Sequence, residues 1–219
     1  MKLFAIIFFW VTSSLLAQIF VEKHLEENIN YLVNFINSDE FSILKEDNSD
    51  LGLIDTLYLR SVKFNNYDYS EALLGLTFAT LPFHKMPLHI PLVGIVLDLQ
   101  LPSGADEELK RKENNLVKNI FYDTPKSNLG DKDKVAHFFG NAYFANSVTI
   151  FNLSKFLSVF VELFEDAFKV SGGVDTRDLI ANHLGYLFGK ELRNNPNLLP
   201  SQFFKKYPEI KETFKNEME

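Results

Sequence analysis

DKDKVAHFFG at residues 131–140 and DTRDLIANHLGYLFG at residues 175–189 are the two stretches that decide the fold of this chain. Both contain an Asp, a hydrogen-bonding side chain four residues later and a Gly seven residues later. The positions are Asp133, His137 and Gly140 in the first stretch and Asp178, Asn182 and Gly185 in the second. Because an α-helix turns by about 100° per residue, each set falls within an arc of roughly 60° on one helix face. The pattern predicts two helices with matching polar faces.

The glycines on these faces indicate what the faces contact. A helix surface without side chains lets another backbone approach closely, and Gly189 extends the small face of the second stretch by one turn. We therefore expect both faces to meet protein and not open water. If they meet each other, Asp133, His137, Asp178 and Asn182 share one partly buried polar cluster.

A third helix is expected between these two. We predict helices over 131–151, 154–170 and 175–193, with Ser154 and Asp175 as N-caps of the last two. The middle helix has Phe at every fourth position, and Glu162 lies among the charged residues of its opposite face. That face is solvated unless a partner helix covers it.

The rest of the chain gives weaker signals. Residues 20–37 have apolar residues at helical spacing, whereas residues 51–64 fit a helix or a strand equally. A small antiparallel strand pair is expected near residues 73–101, where prolines interrupt an apolar stretch, and a short helix near 105–118.

These elements predict a mainly α fold with one mainly helical domain. The domain is expected to span residues 18–195, with 131–193 as its three-helix motif, followed by a charged C-terminal tail at 196–219.

The first residues have the pattern of a secretory signal peptide. Met1 and Lys2 precede an apolar run, and Ala17 is a small residue at a plausible cleavage point, so residues 1–17 are predicted to be removed on export. The alternative is an uncleaved membrane anchor through residues 3–20, although Thr12, Ser13, Ser14 and Gln18 weaken it.

Composition excludes several classes of protein. The chain has 219 residues and a formal net charge of −7, with no basic cluster, which argues against nucleic acid as a partner. It has no cysteine, which excludes disulfides, thiolate zinc sites, iron–sulfur clusters and lipidation at an N-terminal Cys. No P-loop, dinucleotide-binding or nucleophile-elbow motif is present in the sequence. The acidic, cysteine-free composition fits the bacterial envelope.

The polar residues allow two chemical interpretations. Asp133 and His137 could supply two ligands to a divalent metal ion, with Glu162 or Asp178 completing the set and Glu162 as the candidate catalytic base. In the simpler interpretation, which we favour, Asp133 complements its helix N-terminus and His137 is a hydrogen-bonded core residue. Asp178 could equally complete a capping box with Asp175.

Three segments, 131–140, 162–165 and 175–189, resemble the VanZ-like family and the related YfiM-type predicted periplasmic lipoproteins. These families show a DK-x-x-HF start, a Glu in the middle helix and a D-x-x-x-N-x-x-G-x-x-x-G close. The matching positions here are Asp133, Lys134, His137, Glu162, Asp178, Asn182, Gly185 and Gly189. The resemblance covers about residues 131–190 and implies a compact helical unit of the cell envelope. VanZ-like members are associated with glycopeptide resistance and are mostly membrane-embedded, whereas the middle helix here is too short and too charged to span a bilayer.

Three functions follow as hypotheses. The leading one is a periplasmic or cell-envelope protein whose cluster of Asp133, His137, Asp178 and Asn182 is a buried polar network, structural or ligand-binding. The second is a metal-assisted hydrolase acting on an envelope lipid or a cell-wall phosphate. The third is a membrane-anchored partner-binding protein that uses its Phe-rich helix face as the contact surface.

Overall fold

The computed structural model describes residues 23–82, 86–90, 95–99, 106–147 and 176–218. Helices dominate these ranges, so the predicted mainly α class is confirmed. None of the helices in these ranges has the length and apolar content needed to cross a membrane. The predicted signal peptide at 1–17 and the predicted helix at 154–170, with Glu162, lie outside the described residues.

Four helices form the N-terminal half of the described chain. They are α1 at residues 23–36, α2 at Asp39–Asp47, α3 at Asp50–Phe64 and α4 at Tyr69–Ala79. A polar side chain accepts a backbone N–H at the start of α2, α3 and α4, and these N-caps are Ser38, Ser49 and Asp68. Each of these three helices therefore begins at an N-cap residue that can be recognised in the sequence.

The segment 51–64, which fits either periodicity, is helical. Its buried residues are separated by one, three or four positions, as on one face of a helix, and they are Leu53, Ile54, Leu57, Tyr58, Ser61 and Val62. Helix α4 is buried on every side from residue 72 to residue 79. Such a helix shows no amphipathic period in its sequence.

The two strands, β1 at Met86–Ile90 and β2 at Ile95–Leu99, pair antiparallel. Met86 lies opposite Leu99, and Ile90 lies opposite Ile95. Residues 73–79, at the start of the range expected for a strand pair, are instead the buried end of α4.

The remaining elements are all helices. They are α5 at Asp106–Asn115, α6 at Lys132–Asn146, α7 at Thr176–Leu192, α8 at Pro200–Phe204 and α9 at Tyr207–Met218. Helix α6 ends earlier than predicted, since Ser147 is its C-cap in extended conformation. Helix α7 matches the predicted 175–193 to within one residue at each end.

The prediction of a charged tail at 196–219 is wrong for its first part. Phe203, Phe204 and Tyr207 are at most 2% exposed, so the folded domain continues well past residue 195. Phe204 lies 4.3 Å from Phe138, and Tyr207 stacks on Phe121, with 3.7 Å between ring centroids. Charged residues surround these aromatic residues in the sequence and conceal their burial. Pro200 starts the short helix that places Phe203 and Phe204 in the core.

The aromatic core fixes the position of α6 against α7. Phe138 of α6 and Phe188 of α7 have ring centroids 5.4 Å apart, and Phe188 packs edge-on against Tyr58 of α3. The three helices therefore share one core.

Candidate metal centre

Helices α6 and α7 touch backbone to backbone. A Cβ atom at Gly185 would lie 2.1 Å from the carbonyl oxygen of Phe138, and one at Gly189 would lie 2.1 Å from that of Ala142. Any other residue would clash with the backbone at these two positions. Both contacts advance along the chain in the same direction, so the helices run parallel and their N-termini lie side by side.

The structure brings the four predicted cluster residues together at this shared end. Nε2 of His137 lies 3.6 Å from Oδ1 of Asp178 across the helix interface. One ligand atom each from Asp133, His137 and Asp178 lie within 4.8 Å of one another. Nδ1 of His137 lies 3.1 Å from Oδ1 of Asn182. The i, i+4 spacing on two parallel helices produces this convergence.

Lys134 lies between the two carboxylates. Its Nζ is 2.8 Å from Oδ2 of Asp133 and 2.6 Å from Oδ1 of Asp178, and its side chain is 7% exposed. Burial of the ammonium favours its neutral form, but the Asp133 and Asp178 carboxylates outweigh burial and raise the pKa of Lys134 above its ordinary value. Lys134 is therefore charged and compensates one of the two negative charges.

A chain of hydrogen bonds fixes the tautomer of His137. The backbone carbonyl of His137 accepts from Nδ2 of Asn141 at 3.0 Å, which identifies that atom as the donor. The same Nδ2 lies 2.6 Å from Asn182, whose facing atom must then be the oxygen. Since this oxygen can only accept, Nδ1 of His137 carries the proton. Nε2, on the side of Asp178, is the ring nitrogen that does not take part in this chain.

The helix N-termini favour negative charge at this end of the helix pair. Asp133 lies in the first turn of α6 and Asp178 in the first turn of α7, where the macrodipoles are positive. Oδ1 of Asp133 also accepts the N–H of Lys134 at 3.1 Å. The predicted role of Asp133 at its helix N-terminus thus coexists with its place in the cluster.

A second network of charged residues surrounds Arg177, the residue before Asp178. Its guanidinium pairs with Asp131, which is fully buried, and donates to the carbonyl oxygen of Asp123 at 2.7 Å. Burial tends to raise the pKa of Asp123, but hydrogen bonds from Lys211 and Tyr207 and the charge of Arg177 lower it below its usual value. These contacts fix the start of α7 and, with it, the backbone position of Asp178.

Sequence reasoning missed two residues of the site. Lys134 belongs to the DK motif, but the spacing alone does not place its ammonium between two carboxylates. Asn141 is four residues after His137 on the same face, and this spacing could have identified it. Two further predicted residues lie outside the described residues. They are Asp175, the capping partner of Asp178, and Glu162, the candidate general base and the alternative to Asp178 as metal ligand.

The cluster combines the donors that a divalent ion takes from proteins. An imidazole nitrogen and carboxylate oxygens suit zinc or manganese. The side chains of Asp133, Asp178 and His137 are 20%, 18% and 10% exposed, so the site lies near the surface.

Comparison with known proteins gives no match. No family model, curated protein or solved structure matches this chain. The resemblance to the VanZ-like family stays a prediction.

Proposed function

We propose that this protein binds a divalent metal ion through Asp133, His137 and Asp178 and acts in the bacterial cell envelope. The observation that supports the metal site is the distance of 3.6 Å between Nε2 of His137 and Oδ1 of Asp178. Ligands about 2.1 Å from a tetrahedral ion are roughly 3.4 Å apart. These two atoms are thus nearly in place, and small side-chain movements bring Asp133 to the same ion.

The surroundings of His137 support the same proposal. A metal-binding histidine commonly donates its second ring N–H to an oxygen, which fixes the ring and its tautomer. Nδ1 of His137 donates to Asn182, and Asn141 holds Asn182 in turn. The two amides therefore orient the ring so that Nε2 is the nitrogen available to a metal ion.

A purely structural role is the second candidate function. The observation that favours it is Lys134, which already compensates the carboxylates without an ion. In that case the cluster stabilises the contact between α6 and α7. Metal titration separates the two candidates.

The envelope location rests on the signal-peptide pattern of residues 1–17. Mass analysis of the protein recovered from an expressing bacterium tests it. A mature N-terminus at Gln18 in the exported fraction supports export, and an intact Met1 in the soluble cytoplasm contradicts it.

Calorimetric titration with Zn²⁺ and Mn²⁺ tests the metal site in protein purified without chelator. We expect one ion per chain in the wild type and a loss of affinity of about 100-fold or more in an Asp133→Ala/His137→Ala variant. The matched control is Asp47→Ala/His183→Ala, which removes one carboxylate and one imidazole outside the cluster.

The control variant should bind like the wild type. Absence of binding in the folded wild type, together with a lower unfolding temperature of the Asp133→Ala/His137→Ala variant, would favour the structural role.

A further inference from the structure

Lys134 and a metal ion would both bind Oδ1 of Asp178. Oδ1 of Asp178 lies 2.6 Å from the ammonium of Lys134 and 3.6 Å from Nε2 of His137. An ion that joins His137 to Asp178 must therefore bind an oxygen that Lys134 already contacts. The second carboxylate contact of Lys134, 2.8 Å from Asp133, involves another proposed ligand.

The geometry of the contact makes this displacement feasible. The ammonium of Lys134 contacts Oδ1 of Asp178 at 2.6 Å and Oδ2 of Asp133 at 2.8 Å, so each contact is a charge-assisted pair that another cation can replace. A dication offers both carboxylates more charge than an ammonium does, and the two cations repel each other at this distance.

We propose that Lys134 is a resident counter-ion that competes with the metal ion for Asp133 and Asp178 and is displaced when the ion binds. The inference rests on the proposed metal site and adds its regulation. In the metal-free protein Lys134 keeps the two acids together. Metal affinity is then set by this competition, so the site responds only to an ion concentration high enough to displace the side chain.

Zn²⁺ titration of the full chain tests the competition. We expect Lys134→Met to bind Zn²⁺ at least about tenfold more tightly than the wild type, because the competing charge is gone. Lys134→Arg keeps the charge and should remain close to the wild type. Lys132→Met is the matched control, since Lys132 is a similarly buried lysine of α6 that makes none of the contacts described above. Its affinity should change less than about threefold and reports the general effect of removing a positive charge.

The outcomes separate this inference from the proposed function. Zn²⁺ binding by the wild type with equal or weaker binding by Lys134→Met overturns the competition and leaves the metal site standing. No binding by either protein overturns both. Binding by Lys134→Met alone supports the competition and shows that Lys134 blocks the site.

A second measurement does not depend on the folding of a variant. Amine acylation of the wild type, read by mass spectrometry, should leave Lys134 protected without metal and modify it when Zn²⁺ is added. Lys110, an exposed lysine of α5, should react equally in both conditions. Unchanged protection of Lys134 at saturating Zn²⁺ overturns the inference.

Discussion

At the residue scale, Lys112 shows how the fold encloses a charge away from the cluster. Lys112 is 3% exposed, and its ammonium donates to the carbonyl oxygen of Leu81 at 2.9 Å. Burial lowers the pKa of Lys112 from 10.5 to about 7. Below pH 7 the folded protein therefore carries a buried charge that the unfolded chain exposes to water.

The sign of the resulting pH dependence follows from proton binding. Between about pH 7 and pH 10.5 the unfolded chain holds more protons on Lys112 than the folded protein does. The contribution of Lys112 to the free energy of unfolding therefore rises with pH across this window. Below the window the full cost of burying the charge is present.

We expect Lys112→Met to stabilise the protein most at pH 6 and to lose most of that gain by pH 10. The difference between the two pH values should be on the order of 2 kcal/mol or more in the free energy of unfolding. Urea denaturation at both pH values measures it, and Lys110→Met, an exposed lysine of the same helix, is the control. A gain that does not depend on pH would show that folding does not lower the pKa of Lys112.

At the element scale, the contact of α6 and α7 depends on glycine. A side chain at Gly185 meets the Phe138 carbonyl, and rigid backbone cannot give way as a flexible side chain can. The two helices would have to separate, and the cluster between them would open with them.

We expect Gly185→Ala to lower the free energy of unfolding by about 3 kcal/mol or more and to weaken Zn²⁺ binding. Gly52→Ala is the matched control, because the nearest atom to a Cβ at Gly52 is 3.5 Å away, which is ordinary contact. Since Ala favours a helix over Gly, this control should gain up to about 1 kcal/mol. Chemical denaturation compares the two, and equal stability of both variants would contradict the close approach.

The elements differ in how well the sequence predicts them. Helix α7 and the approximate course of α1 follow from the spacing of polar and apolar residues along the sequence. Helix α4 has no polar face to reveal its period, because the core surrounds it. In the site, the i, i+4 spacing of Asp133 and His137 is enough to predict that both side chains lie on one face of α6. The contact of Lys134 with Asp178 could not be predicted, because it depends on the distance between α6 and α7.

At the scale of the whole molecule, the C-terminal helices complete the core. Phe204 packs against Phe138 of α6 and Tyr207 stacks on Phe121, whereas Phe203 packs edge-on against Phe188 of α7. Their charged sequence neighbours concealed this role, because local composition does not report which long-range contacts a short helix makes.

We expect removal of residues 200–219 to abolish cooperative folding. Each of the three lost aromatic side chains contributes roughly 3 kcal/mol or more, and their sum approaches the total stability of a typical domain. Near-ultraviolet circular dichroism and thermal unfolding measure the loss. Removal of residues 216–219 alone is the control, and it should leave the midpoint of thermal unfolding within about 2 °C of the wild type. A cooperative unfolding transition in the protein that lacks residues 200–219 would contradict the prediction.

A hydrogen bond joins the first turn of α8 to α3. The N–H of Ser201 donates to Oδ1 of Asp55 at 2.9 Å, although the two residues are 146 positions apart. Contacts of such high sequence separation slow folding, because a long loop closes before they form. On the ribosome, α3 therefore lacks this partner until residue 201 has been synthesised, long after α3 itself has been made.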